Sequence, residues 1–152
     1  MKIYFLRHGL ADWPNWNRPD DDRPLTEEGK VEAAAVGMLL ARLEIAPEIV
    51  TSPLPRASQT ADIAGEYLKQ KVRIDPLLRP GFNAVKLKQL IKKISGSSLM
   101  VVGHEPDFTR TIFELTGGNT KLAKTGVALV KLDPESMRGQ LRWLVPPRFA
   151  LK

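Results

Sequence analysis

The sequence of 152 residues contains no cysteine and only two histidines, His8 and His104. The absence of cysteine excludes disulfides, thiolate metal sites and enzymes whose nucleophile is a cysteine. Two histidines could hold zinc only with the help of carboxylates, and the sequence has no His-Glu-x-x-His pattern. The acidic run at residues 20–22 is interpreted as a solvated loop. We therefore expect neither a resident metal nor another cofactor.

Long apolar runs are also absent. No segment is long enough to cross a bilayer, and the apolar start at residues 1–6 is too short for a signal peptide because Arg7 and His8 interrupt it. The sequence therefore predicts a cytoplasmic protein without membrane contact. Hydrophobic residues make up 43% and charged residues 26%, as in a globular chain with a core. The length suits a single domain over residues 1–152.

Acidic residues are outnumbered by basic ones, and the formal net charge is +6. This excess indicates either a solvated basic surface or attraction of an anionic partner. Four lysines between residues 86 and 93 are interpreted as the solvent face of one helix. No basic run alternates with aromatic residues, so we expect no nucleic-acid partner.

Short apolar segments bounded by turn residues predict six strands. These segments lie at 2–7, 49–51, 72–75, 99–103, 127–132 and 140–145. The segment at 99–103 is continuous and apolar, as is typical of a buried parallel strand. The last two strands are expected to pair antiparallel at an edge of the sheet.

Helical spacing of apolar residues predicts four helices between these strands. The first helix is expected to begin after the N-cap Thr26, and the last to end at Gly117 and Gly118. The buried faces are predicted to be, in order, Val31, Ala34, Ala35, Met38 and Leu39; Ala57, Ala61, Ala64 and Leu68; Leu87, Leu90, Ile91 and Ile94, ending near Gly96; and Phe108, Ile112 and Leu115. The alternation predicts an α/β fold, a three-layer sandwich with a mostly parallel central sheet and helices on both faces.

Three strand ends deliver residues that are suited to chemistry. The first strand is followed by Arg7-His8-Gly9, the second by Ser52-Pro53 and then Arg56, and the strand at 99–103 by His104. Ligands of open α/β sheets bind beyond the carboxyl ends of the strands. We therefore expect both histidines and both arginines at one edge of the sheet.

These residue types match the needs of phosphoryl transfer. Imidazole is a nitrogen nucleophile, and the moving phosphoryl group spreads negative charge that cations must stabilise. Arginine binds phosphate through two donors of its planar fork, and helix N-termini add backbone donors. Taken one at a time, either histidine could be a structural residue and either arginine a surface ion-pair partner. The prediction rests on the combination.

The combination resembles the histidine phosphatase superfamily, which includes cofactor-dependent phosphoglycerate mutases. The resemblance lies in residues 6–9 (Leu-Arg-His-Gly), 23–29, 52–61 (Ser-Pro-Leu-Pro-Arg-Ala-Ser-Gln-Thr-Ala) and 103–106 (Gly-His-Glu-Pro). The short chain and the Gly-His-Glu-Pro form are most similar to the SixA-type phosphohistidine phosphatases. The resemblance implies a phosphoglycerate mutase-like fold and a metal-independent phosphatase. It also implies that His8 is the nucleophile and that Arg7, Arg56 and His104 bind the phosphoryl group.

One feature of the larger superfamily is missing. Its larger members place a glutamate proton donor after the third strand, whereas residues 75–82 contain no glutamate here. Glu105 is a possible proton donor, with Asp12 and Asp107 as alternatives. An imidazole leaves more easily than an alkoxide, which needs a general acid worth roughly 10²–10⁴-fold. The missing acid therefore favours cleavage of P–N over P–O bonds.

Three functions remain open on the sequence. The first is a phosphohistidine phosphatase acting on a phosphotransfer or phosphocarrier protein. The second is a phosphomonoesterase for small phosphate esters or phosphoproteins, and the third is a phosphate-binding module without turnover. The presence of both histidines favours an enzyme. Residues 10–24 must border the pocket, where Trp13 and Trp16 either cap the core edge or form a rim for a protein partner.

Overall fold

The computed structural model describes residues 1–151. Six strands form one sheet in the order β3-β2-β4-β1-β5-β6. The strands are β1 (Lys2–Arg7), β2 (Glu48–Thr51), β3 (Val72–Ile74), β4 (Ser98–Gly103), β5 (Val127–Asp133) and β6 (Arg138–Val145). Strands β3, β2, β4 and β1 run parallel, whereas β5 pairs antiparallel with β1 and β6 antiparallel with β5. The predicted mostly parallel sheet with an antiparallel edge is confirmed.

Helices cover both faces of the sheet. They are α1 (Glu27–Arg42), α2 (Pro55–Leu68), α3 (Ala84–Ile91) and α4 (Asp107–Thr116). Alternate residues of a strand point to opposite faces, and β1 accordingly supplies Ile3 and Phe5 to one apolar core and Tyr4 and Leu6 to the other. Helices α3 and α4 pack on the first core, and α1 and α2 on the second. The predicted three-layer α/β sandwich is therefore confirmed.

The buried face of α1 was predicted wrongly. Val31 and Met38 are exposed by 62% and 47%, whereas the buried residues of the helix are Gly29, Ala33, Ala35, Val36, Gly37 and Leu40. A Cβ atom at Gly37 would lie 2.9 Å from the Tyr67 ring of α2, so small residues let the two helices approach. Of the predicted face only Ala35 is buried, because close packing of the two helices selects small residues and turns Val31 and Met38 towards solvent.

The other helices follow the predicted patterns with one correction. All four predicted core residues of α2 are buried, and Gly117 ends α4 in a left-handed conformation. Helix α3 ends at Ile91 rather than near Gly96, and Ile94 is only half-buried. The chain leaves the helix early to reach β4, which begins at Ser98. Within residues 1–151, no helix has the length and apolar character needed to span a bilayer.

Candidate active site

Three neighbouring strand ends bring the four predicted residues together. Strand β1 ends at Arg7 and is followed by His8, β2 leads through Ser52 to Arg56 in the first turn of α2, and β4 is followed by His104. Because β4 lies between β1 and β2, these ends meet at one edge of the sheet. The rings of His8 and His104 have centroids 5.4 Å apart.

His8 is held as a neutral imidazole. Its Nδ1 lies 2.8 Å from the carbonyl oxygen of Gly9, which can only accept, so Nδ1 holds the proton and Nε2 has a free lone pair. Burial lowers the pKa of His8 to about 3, and the positive charges of Arg56 and Arg7 act in the same direction. The imidazole is therefore neutral at pH 7, and its bare Nε2 atom is able to act as a nucleophile.

Both arginines are fixed by carbonyl groups rather than by carboxylates. Arg7 donates from Nη1 to the carbonyl oxygen of Leu122 at 3.0 Å, and Arg56 donates from Nη1 to that of Asp20 at 3.2 Å. Within residues 1–151 neither guanidinium forms an ion pair. Their charges are oriented but not neutralised, which leaves them available to an anion.

His104 approaches Ser52, which the sequence places after the second strand without assigning it a role. The Nε2 atom of His104 lies 2.8 Å from Oγ of Ser52, and both side chains are buried. Burial, together with the positive charge of Arg56, lowers the pKa of His104 to about 4. His104 is therefore neutral near pH 7, like His8.

Three buried polar atoms of these residues have no protein partner among the described residues. They are Nε of Arg7, Nε of Arg56 and Nδ1 of His104. Buried polar groups in native proteins are nearly always hydrogen-bonded, so unpaired ones indicate a ligand site. Two of the three belong to permanent cations, and all three residues lie close enough to His8 to lower its pKa. The arrangement suits a tetrahedral oxyanion bound next to the His8 imidazole.

A second set of residues fixes the backbone that follows His8. The amide of Gly9 donates to Oγ1 of Thr60 at 3.0 Å, and that hydroxyl donates to the carbonyl oxygen of Arg56 at 2.7 Å. A Cβ atom at Gly9 would lie 3.0 Å from Oγ1 of Thr125 and 3.1 Å from Leu25. Close packing of the protein against this backbone therefore favours glycine at position 9. Thr60 lies inside the motif at 52–61 and could have been found there, whereas Thr125 had no sequence signal.

The three candidate proton donors are each engaged elsewhere. Glu105 accepts from the backbone amide of Thr109 at 2.9 Å and from the hydroxyl of the same residue, so it caps the first turn of α4. Asp107 accepts from the amide of Gly81 at 2.7 Å. Asp12 pairs with Lys124 and Arg23.

The loop at 10–24 borders the site through its backbone. The carbonyl oxygen of Asp20 in this loop accepts a hydrogen bond from Arg56, and residues 20–22 form an exposed 3₁₀ turn. Trp13 and Trp16 donate their indole N–H groups to the carbonyls of Pro24 and Pro19. Neither tryptophan belongs to the two cores, and Trp13 is 39% exposed.

Within residues 1–151 no group of three or more histidine or acidic side chains could hold a metal ion.

Comparisons with known proteins agree with this geometry. The model of the histidine phosphatase superfamily (branch 1) matches residues 3–81, which include Arg7, His8 and Arg56. The chain belongs to the histidine phosphatase superfamily. An uncharacterized protein of Picosynechococcus sp. is 33% identical over 136 residues, which cover 84% of this chain and 82% of that protein.

Two further similarities are to different members of the superfamily and differ in how much of the chain they cover. A solved structure of the protein histidine phosphatase SixA complexed with tungstate has a TM-score of 0.87 and 26% identity and covers 100% of both chains. A 2,3-bisphosphoglycerate-dependent phosphoglycerate mutase of Bifidobacterium longum is 46% identical over 66 residues, which are 41% of this chain but only 27% of that enzyme. The similarity to this SixA structure extends over the full length of the chain, and the chain is an enzyme of the phosphatase class.

Proposed function

We propose that this enzyme is a phosphohistidine phosphatase that hydrolyses its substrate through a covalent phosphohistidine at His8. The observation that supports this most is the set of three unpaired buried atoms, from Arg7, Arg56 and His104, around a neutral imidazole. Binding an anion would require the arginines alone. An unprotonated nitrogen nucleophile beside them adds a chemical step.

The proposed reaction has two displacements at phosphorus. In the first, Nε2 of His8 forms a bond to phosphorus while the P–N bond of the substrate breaks, and the leaving imidazole takes a proton from solvent. In the second, water attacks phosphorus, the bond to His8 breaks, and inorganic phosphate leaves. Arg7 and Arg56 face the charge on the phosphoryl oxygens in both transition states.

The engaged carboxylates support the choice of substrate class. Glu105, Asp107 and Asp12 are each bound within the protein, so none of these three candidate acids is free to protonate an alkoxide. A phosphorylated imidazole has the better leaving group and needs this help least. A phosphotransfer or phosphocarrier protein that bears phosphohistidine fits this chemistry. The alternative, a phosphomonoesterase for small phosphate esters, is favoured by the short match to phosphoglycerate mutases.

The deciding experiment compares phosphohistidine protein, phosphoserine peptide and small phosphate esters as substrates, with chelator present and absent. We expect turnover of phosphohistidine alone, undiminished by chelator. Quenching with ³²P-labelled substrate should leave an acid-labile label on His8, and His8→Ala should abolish turnover while the protein stays folded. Label on another residue excludes the His8 mechanism, and rapid hydrolysis of alkyl phosphates supports the alternative.

A further inference from the structure

His104 has a defined hydrogen-bonding problem at the site. Its side chain is 4% exposed, with one ring nitrogen against Ser52 and the other unpaired. A neutral imidazole has one N–H donor and one bare acceptor nitrogen. The orientation of the proton therefore decides whether Nδ1 attracts or repels a phosphoryl oxygen.

The surroundings of Ser52 select one of the two tautomers. The amide of Leu54 donates to Oγ of Ser52 at 3.2 Å, so that oxygen already serves as an acceptor. Among the described residues, Nε2 of His104 is the acceptor within reach of the Ser52 hydroxyl proton. If the hydroxyl donates to Nε2, every polar atom of Ser52 is satisfied. The opposite arrangement would leave a buried hydroxyl proton unpaired, which costs about 1–3 kcal/mol for such groups.

We propose that Ser52 is a positioning residue that fixes His104 with its proton on Nδ1, where it donates a hydrogen bond to the phosphoryl group. This inference rests on the proposed function for the identity of the acceptor. It assigns His104 the role of a neutral donor rather than a third cation. It also gives Ser52, which directly follows β2, a role at the site.

The test reads the tautomer directly by ¹⁵N nuclear magnetic resonance of the imidazole rings. The chain has only two histidines, so the spectrum contains two ring systems, which His104→Asn assigns. In the wild-type protein we expect the proton of His104 on Nδ1. A proton on Nε2 would overturn the inference. This readout needs no turnover, so it stands even if the proposed substrate is wrong.

Kinetics of Ser52→Ala then test the consequence. We expect kcat for phosphohistidine to fall by about 10- to 100-fold, with KM nearly constant. Removing the hydrogen-bond partner of a metal-ligating histidine in other proteins has an effect of this size. The spectrum of the variant should show mixed tautomers of His104. Ser52→Cys, which keeps a weak donor, should recover part of the loss. Ser58→Ala is the matched control, because Ser58 bonds only the carbonyl of Pro55. An unchanged tautomer and kcat in Ser52→Ala would refute the role.

Discussion

Arg56 tests whether charge or geometry matters most among the phosphate-binding residues. Arg56→Lys keeps the charge but loses the planar pair of donors, including the unpaired Nε atom. We expect kcat/KM for phosphohistidine to fall by about 10²-fold or more, as on removal of one transition-state donor. Steady-state kinetics provide the measurement, and Arg138→Lys at the opposite end of the sheet is the control. Wild-type turnover in Arg56→Lys would contradict a bidentate role.

Glu105 tests the missing general acid. Its carboxylate binds the first turn of α4 through Thr109, and glutamine keeps an oxygen that can accept from the same amide. Glu105→Gln should therefore barely change phosphohistidine turnover, and phosphoserine should stay a poor substrate in both proteins. A loss of more than about 100-fold, within the range of a general acid, would make Glu105 the proton donor.

At the residue scale, motifs predicted which side chains gather but not how they are held. The four predicted residues, Arg7, His8, Arg56 and His104, follow strand ends, and parallel strands bring their carboxyl ends to one edge of the sheet. The two arginines donate hydrogen bonds to the carbonyl oxygens of Leu122 and Asp20, which lie in loops far from them in sequence. Such contacts have no periodicity and no fixed spacing, so only the folded chain reveals them.

At the scale of elements, the loop at 10–24 offers a test of partner selection. The indole N–H groups of Trp13 and Trp16 are hydrogen-bonded within the loop, and the ring centroids lie 6.5 Å apart. The same loop contains Asp20, whose carbonyl oxygen accepts a hydrogen bond from Arg56. If they contact a protein substrate, Trp13→Ala should raise KM for a phosphohistidine protein by about tenfold, since such hot spots cost more than 1 kcal/mol.

The same variant needs a small substrate and a control. Free phosphohistidine should be hydrolysed by Trp13→Ala at the wild-type rate, because it lacks the protein surface that Trp13 would contact. Phe149→Ala removes another exposed aromatic side chain, near the end of the described chain, and should change neither substrate. Equal losses on both substrates would assign Trp13 to the pocket itself rather than to a partner surface.

Most elements were predictable because their apolar spacing is regular. Helix α2 and strand β4 match their predictions, since the alanines and Leu68 of α2 recur at helical spacing and β4 is a continuous apolar run. Helix α1 was the exception, because its large apolar residues Val31 and Met38 are exposed and glycines occupy part of its buried face. Packing against Tyr67 requires small volume rather than hydrophobicity, and a hydrophobic pattern does not detect that requirement.

At the scale of the whole molecule, the two buried histidines should make stability depend on pH. Burial lowers the pKa of His8 to about 3 and of His104 to about 4, below the unfolded value near 6.5. Between these values the unfolded chain binds more protons, so the free energy of unfolding should fall as pH falls. From pH 7.5 to 5.0 each histidine should cost about 2 kcal/mol.

Denaturant titrations at these two pH values measure the effect. The interval lies above the ordinary range of carboxylates, which separates the histidines from acid groups. A folded double variant, His8→Asn with His104→Asn, should lose most of the pH dependence. An equal dependence in the variant would show that other groups are responsible.

The central position of β1 has a consequence for the order of assembly. Strand β1 pairs with β4 at residues 98–103 and with β5 at residues 127–131, and the amide of Thr125 donates to the carbonyls of Arg7 and His8. Strand β1 is thus synthesised before either of the two strands that flank it in the sheet. Synthesis proceeds at about 5–20 residues per second, so β1 stays without its two neighbours for several seconds. During that time the nascent chain exposes a bare apolar strand, and enzyme activity can arise only after β5 has been made.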